Sequence, residues 1–116
     1  MSNCVFCMIV DGAIPANKIY EDDQVLAFDD IAPQAPTHIL VIPKAHYADL
    51  SDDVPREVLC NLFSVVAKVA AQSGIAKSGY RVIINNGSDA NQTVGHLHVH
   101  VMGGRRMSHG MVCFDD

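Results

Sequence analysis

Seven residues near the end of the chain, His96-Leu97-His98-Val99-His100-Val101-Met102, alternate imidazole with aliphatic side chains without a break. Successive side chains of a β-strand point to opposite faces, so this period of two predicts a strand over His96 to Met102. His96, His98 and His100 then share one face, and Leu97, Val99 and Val101 enter a core. With six histidines in 116 residues, chance yields such a triplet in roughly one or two sequences in a hundred. The plain reading is a half-exposed strand whose polar face happens to be histidine. Two active readings compete with it: a metal site, because imidazole is a common zinc ligand, and nucleophilic catalysis by a neutral imidazole. A catalytic zinc usually takes two or three histidines plus a carboxylate or water, and no Asp or Glu stands beside the triplet to complete the set. The nucleophile is the preferred reading.

The strand needs partners, and the rest of the chain supplies them. Val5, Phe6, Ile9 and Val10 predict a short helix ending at Asp11-Gly12. Lys18 to Glu21 and Gln24 to Phe28 read as a hairpin turning at Asp22-Asp23. The apolar, β-branched run Thr37 to Ile42 predicts a buried central strand stopped by Pro43. Val58, Leu59, Leu62, Val66, Val69 and Ala70 recur at helical spacing, which predicts one long helix of about nineteen residues, ~28 Å, lying across the sheet. Ser51, Asp52 or Asp53 is its expected cap, Pro55 sits in its first turn, and Gly74 ends it. Tyr80 to Ile84 adds a strand. The polar, turn-prone segment Asn85 to Gln92 suits a loop that wraps a ligand with backbone N–H groups. The order α-β-β-β-α-β-β predicts an α+β fold with a mainly antiparallel sheet.

At this length the chain makes one domain with one core, so a site is expected at the surface or at a subunit seam. A net charge of −5 argues against binding long nucleic acid, which requires many Lys and Arg on phosphates. No apolar run is long enough to span a bilayer, and the N-terminus lacks a signal-peptide pattern, so a cytoplasmic protein without a membrane partner is expected. In that setting Cys4, Cys7, Cys60 and Cys113 read as thiols or metal ligands rather than as disulfides.

Several motifs together resemble one family. His96 to Met102 is preceded by Gly79-Tyr80-Arg81, Asn85, Gly87-Ser88-Asp89 and Gln92, and further back by Phe28-Asp29-Asp30-Ile31-Ala32-Pro33-Gln34-Ala35-Pro36-Thr37-His38. This closely resembles the histidine-triad (HIT) family, Hint branch, over residues 4 to about 106, within one domain spanning 1–116 with a divergent tail at 107–116. The resemblance implies a five-stranded sheet with one long and one short helix, joined to a second copy across a homodimer. It implies hydrolysis of purine nucleoside 5′-phosphoramidates through a covalent nucleotidyl-histidine on His98. By the same resemblance His100 would contact phosphate oxygens, His96 would support the row, and Thr93 would stand near the leaving amine, where the branch usually has Ser.

The same resemblance gives Asp30 to the ribose hydroxyls, making ribose preferred over deoxyribose, and Phe6, Ile9, Phe28 and Ile31 to the purine walls. Each of these four has plain core as its ordinary reading. Asn85 is assigned to the ribose or phosphate side, and the backbone of Asn91, Gln92 and Thr93 to the phosphoryl oxygens. In relatives that carry the Cys pair, zinc is held by the residues matching Cys4, Cys7, His46 and His96, a closed structural set. Catalysis itself needs no cofactor in this reading. Other classes remain open: a slow nucleotide-binding or interaction module, and a metal-dependent hydrolase using the histidines as ligands. Arg105 and Arg106 read either as part of the site mouth or as a solvated turn.

Overall fold

A computed structural model describes residues 3–109. It contains α1 (Val5–Val10), β1 (Lys18–Glu21), β2 (Val25–Asp29), β3 (Thr37–Pro43), α2 (Arg56–Gln72), β4 (Tyr80–Ile83), a 3-10 turn (Ser88–Ala90) and β5 (Val99–Gly103). The five strands form one antiparallel sheet in the order β1-β2-β3-β5-β4. The expected element order and sheet type are therefore present. At the first turn Asp22 Oδ1 accepts the amides of Gln24 and Val25 at 2.8 and 2.9 Å, so one side chain closes the β1–β2 hairpin.

The sheet buries both faces near its centre. On one face α2 lays Leu62, Val65, Val66 and Val69 against Ala27, Ile39, Val41, Leu97, Val99 and Val101. On the other, the two-turn α1 packs Phe6 and Ile9 against Leu26, Phe28, Leu40 and Ile42. Alternation along β2 and β3 divides their side chains between these two clusters, which is why both strands read as unbroken apolar runs.

Three local expectations are corrected. Neither Ser51, Asp52 nor Asp53 caps α2: its N-cap is Pro55, with no side-chain bond, and it runs seventeen residues. Asp52 is engaged in the preceding loop, where it accepts the amide of Ala48 at 2.8 Å, and the Ser51 amide donates to Asp49 at 2.8 Å. Strand β4 stops at Ile83 rather than Ile84. The histidine-bearing strand starts at Val99, not His96, because its pairing with β3 ends at Val41 with Val99. Upstream of that pair the segment is held instead by the Leu97 amide donating to the Tyr47 carbonyl at 2.7 Å. The in–out alternation nevertheless continues through it, since Leu97 sits with Val99 and Val101 under α2. Residues 110–116, including Cys113 and most of the tail, lie outside the described residues.

Candidate active site

The triad rings occupy a longer imidazole row than the sequence motif alone defines. His98 and His100 have ring centroids 5.0 Å apart, and His100 continues to His38 at 5.2 Å. At the other end His96 meets His46 edge-on at 4.9 Å. Phe6 from α1 packs edge-on against both His96 and His98, at 5.9 and 5.1 Å, and against Phe28 at 5.6 Å. His96, His98 and His38 are buried, at 0, 4 and 4% exposure, and no buried side-chain N or O among the described residues lacks a partner.

Hydrogen-bond partners fix which ring nitrogen carries each proton. A carbonyl only accepts and an amide only donates, so the ring atom facing each must do the opposite. His98 Nδ1 lies 2.7 Å from the His96 carbonyl and therefore donates, leaving Nε2 with a bare lone pair. The Gln34 amide donates to His38 Nδ1 at 3.1 Å, so the His38 proton sits on Nε2 and is given to His100 Nδ1 at 2.9 Å. His100 then carries its own proton on Nε2. Adjacent rings of the triad thus hold opposite tautomers, one an electron-pair donor and the other a proton donor. Burial keeps both members of the second pair uncharged: it holds His100 down to about 4, with His98 and His38 adding to it, and holds His38 below its ordinary value against the opposing pull of Asp30.

The His98 and His100 rings form the floor of a cavity of about 300 Å³. Its apolar side is built by Phe6, Ile9, Phe28 and Leu40, with Ile14 and Val94 beside them; Asp30, Thr93, His98 and His100 supply the polar edge. Phe6, Ile9 and Phe28 serve as core and wall at once, because the small α1 covers only part of its sheet face. Ile31 stands at the rim, 96% exposed. Asp30 Oδ1 accepts the Ala32 amide at 2.9 Å and Oδ2 lies 3.5 Å from His38 Nε2, so each oxygen keeps a lone pair for a ligand.

The loop before the triad contributes less than expected. Asn85, Asn91 and Gln92 do not line the cavity; Thr93 alone of that group does. The amides of Asn91 and Gln92 are engaged within the loop, donating to Ser88 and Gly87 carbonyls at 3.0 and 3.1 Å. The Gln92 side chain is a brace, accepting from Gly87 and donating to the Ala48 and Val94 carbonyls. Conversely, His38 was not singled out from sequence. Its signal was a lone imidazole entering an otherwise apolar strand, six residues before Lys44.

A second cluster lies at the opposite end of the row. Cys4, Cys7, His46 and His96 bring one ligand atom each within 4.8 Å of one another. His96 donates Nε2–H to the Pro43 carbonyl at 2.8 Å, so Nδ1 presents its lone pair to Cys4 Sγ and Cys7 Sγ at 3.4 and 3.5 Å. His46 Nδ1 is 3.3 Å from Cys7 Sγ. Ligands on one tetrahedral zinc, with Zn–S near 2.3 Å and Zn–N near 2.0–2.1 Å, would place S and N about 3.6 Å apart. The observed spacings fit that group closely. Burial also holds His96 below its ordinary value, keeping the ring neutral and able to ligate.

The HIT domain model matches residues 11–107, most of the chain but not α1, which carries Cys7 and is capped by Cys4. An uncharacterized 13.2 kDa HIT-like protein of Azospirillum brasilense is 51% identical over 108 residues, covering 90% of this chain and 88% of that protein. Among solved structures, a HIT family hydrolase from Legionella pneumophila superposes with a TM-score of 0.88 at 45% identity, covering 92% of this chain and 97% of the other. A HIT family hydrolase from Clostridium thermocellum gives 0.91 at 42% identity, covering 97 and 99%. With the triad, its sheet and these matches in agreement, the chain belongs to the HIT family.

Proposed function

We propose that this protein hydrolyses purine nucleoside 5′-phosphoramidates to the nucleoside monophosphate and an amine, through a covalent intermediate on His98. The observation that carries this reading is the pair of opposite tautomers at the cavity floor. His98 Nε2, its lone pair exposed by the Nδ1 bond to the His96 carbonyl, attacks phosphorus. A new N–P bond forms as the P–N bond to the amine breaks; the leaving nitrogen takes that electron pair and a proton from solvent, relayed in this reading by Thr93, which lines the cavity. His100 Nε2–H meets a phosphoryl oxygen where negative charge is concentrated in the transition state. Water then attacks phosphorus: an O–P bond forms as the N–P bond breaks, His98 Nε2 regains its lone pair, and the proton that water sheds goes to solvent, offsetting the one the amine took up. Asp30 at the cavity edge suits a ribose diol, and the apolar wall of Phe6, Ile9 and Phe28 suits a purine.

No step of this chemistry needs a metal. Cys4, Cys7, His46 and His96 would hold a zinc ion whose role is a crosslink between α1, the β3–α2 connection and the triad. A homodimer joined through β4 also belongs to this reading, since β4 is an edge strand that exposes Tyr80 and Val82.

The test is incubation with adenosine 5′-phosphoramidate, with and without a chelator. AMP release in both is expected, and a rapidly quenched reaction should contain a nucleotidyl adduct on His98 by mass spectrometry. His98→Ala should lose about a thousandfold or more in kcat/KM while still binding AMP. Turnover without an adduct would sink the covalent route, and activity lost with the chelator would favour a catalytic metal.

A further inference from the structure

The nucleoside cavity and the Cys/His cluster share one short helix. Six residues, Val5-Phe6-Cys7-Met8-Ile9-Val10, form α1, with Cys4 as its cap. Its cysteines gather with His46 and His96 in the cluster. The same helix contributes Val5, Phe6 and Ile9 to the lining of the cavity, whereas Phe28 and Leu40 of that lining come from β2 and β3. Part of the purine wall therefore rides on α1, and part is fixed to the sheet.

A helix this short has little stability of its own, because isolated helices of fewer than about 12–15 residues are marginal in water. What holds α1 is what it touches. Phe6 and Ile9 pack on the sheet. Apart from Cys7 its residues are valine, phenylalanine, methionine and isoleucine, so its polar side-chain ties to the rest of the chain run through Cys4 and Cys7. Between thiol and imidazole such ties are weak, with S···N distances of 3.3 to 3.5 Å. Zinc would replace them with coordinate bonds that fasten α1 to two separate stretches, the β3–α2 connection at His46 and the approach to β5 at His96.

Phe6 joins the two sites. It stands between the two cysteines in sequence, so whatever fixes Cys4 and Cys7 fixes its backbone. Its ring is 7% exposed and meets His96 of the cluster at 5.9 Å, His98 of the cavity floor at 5.1 Å and Phe28 of the sheet at 5.6 Å. A displacement of α1 that loosened the cluster would carry this ring out of the purine wall.

Resting on the zinc and nucleotide readings of the two sites, we infer that Phe6 couples them: zinc in the cluster tightens nucleotide binding in the cavity, and bound nucleotide tightens zinc by the same factor. Both ligands select one placement of α1 against the sheet, zinc by tying down its cysteines and the purine by packing against Phe6 and Ile9. Linkage makes the effect reciprocal, and a factor of about ten is expected. The coupling acts on affinity. The His98 tautomer is set by a main-chain carbonyl and stays as it is, so turnover persists when the metal is removed.

The experiment is a thermodynamic cycle on the full chain, in a phosphine reductant that keeps the thiols reduced. AMP is titrated calorimetrically into zinc-loaded and into chelator-stripped, dialysed protein, and zinc affinity is measured against a chromophoric chelator with and without saturating AMP. The AMP Kd should be about tenfold lower in the zinc-loaded form, and the zinc Kd lower by the same factor with AMP present. In F6L, with F6M in its place should F6L not fold, zinc should still bind while the coupling falls towards one. C4S/C7S should bind AMP with an affinity indifferent to zinc. Equal AMP affinity in the two wild-type forms would overturn the inference and leave both readings standing. Undiminished coupling in the Phe6 variant, or a zinc effect that survives in C4S/C7S, would overturn it as well. Failure of zinc to bind wild type would overturn the zinc reading, failure of AMP to bind either form the nucleotide reading, and each would take this inference with it.

Discussion

The two ends of the imidazole row use the same side chain for opposite ends. At one end His96 gives its proton to the Pro43 carbonyl and turns a lone pair toward two thiols. At the other, His100 accepts at Nδ1 from His38 and turns an N–H toward the cavity. Only four residues separate them, and neither differs in residue type or in the direction of its pKa shift. What differs is whether a carbonyl or an amide-anchored imidazole stands behind the ring. Tautomer, set by the main chain, decides whether an imidazole becomes a ligand or a proton donor.

Substitutions at the two ends should separate these roles. His100→Ala removes a donor to the developing phosphoryl charge and should lower kcat by about a hundredfold to a thousandfold. His96→Ala keeps its carbonyl behind His98 and should cost under about tenfold, with the loss appearing in metal content instead. Equal losses in single-turnover assays would break the distinction. C4S/C7S should take bound zinc, measured by elemental analysis, from one per chain to none and lower the melting temperature by several degrees. An unchanged zinc content would dismiss the cluster as a metal site.

A pH titration reads both ends together. The buried histidines have folded-state values below the unfolded 6.5, so the unfolded chain binds more protons over that interval. Stability is therefore complete above about 6.5 and declines as pH falls toward about 4, the His100 value. Denaturant midpoints measured across that range should fall, and less steeply in His100→Asn; a flat profile would contradict the neutral state assigned to these rings. The smallest expected effect lies at the ribose: Asp30→Asn should reduce the discrimination between ribose and 2′-deoxyribose substrates by about tenfold, as expected for one charge-assisted hydrogen bond.

Much of this arrangement is legible in the sequence because it depends on period. Alternation in Leu97, Val99 and Val101 and helical spacing in Val58, Leu62, Val66 and Val69 directly reflect which side chains avoid water. What escaped is what depends on partners distant in the chain. The strand boundary at Val99 is decided by its partner Val41, fifty-eight residues earlier, where the β3–β5 pairing runs out. His38 becomes part of the site only through the antiparallel register that sets it one pair beyond Leu40 and His100. The loop amides of Asn91 and Gln92 looked available because a sequence lists donors without showing which acceptors the turn has already given them. The cap expected for α2 failed for the same reason, as Asp52 found a nearer amide at Ala48.

The bond from His98 Nδ1 to the His96 carbonyl has a consequence for how such a chain can evolve. Every residue carries a carbonyl, so the group that prepares the nucleophile survives any replacement of the His96 side chain that leaves the local backbone in place. The thiols and imidazoles of the neighbouring cluster can therefore be gained or lost in a lineage by ordinary point mutation without a simultaneous change at the reacting histidine. One position serves two sites, yet selection can act on each of them separately.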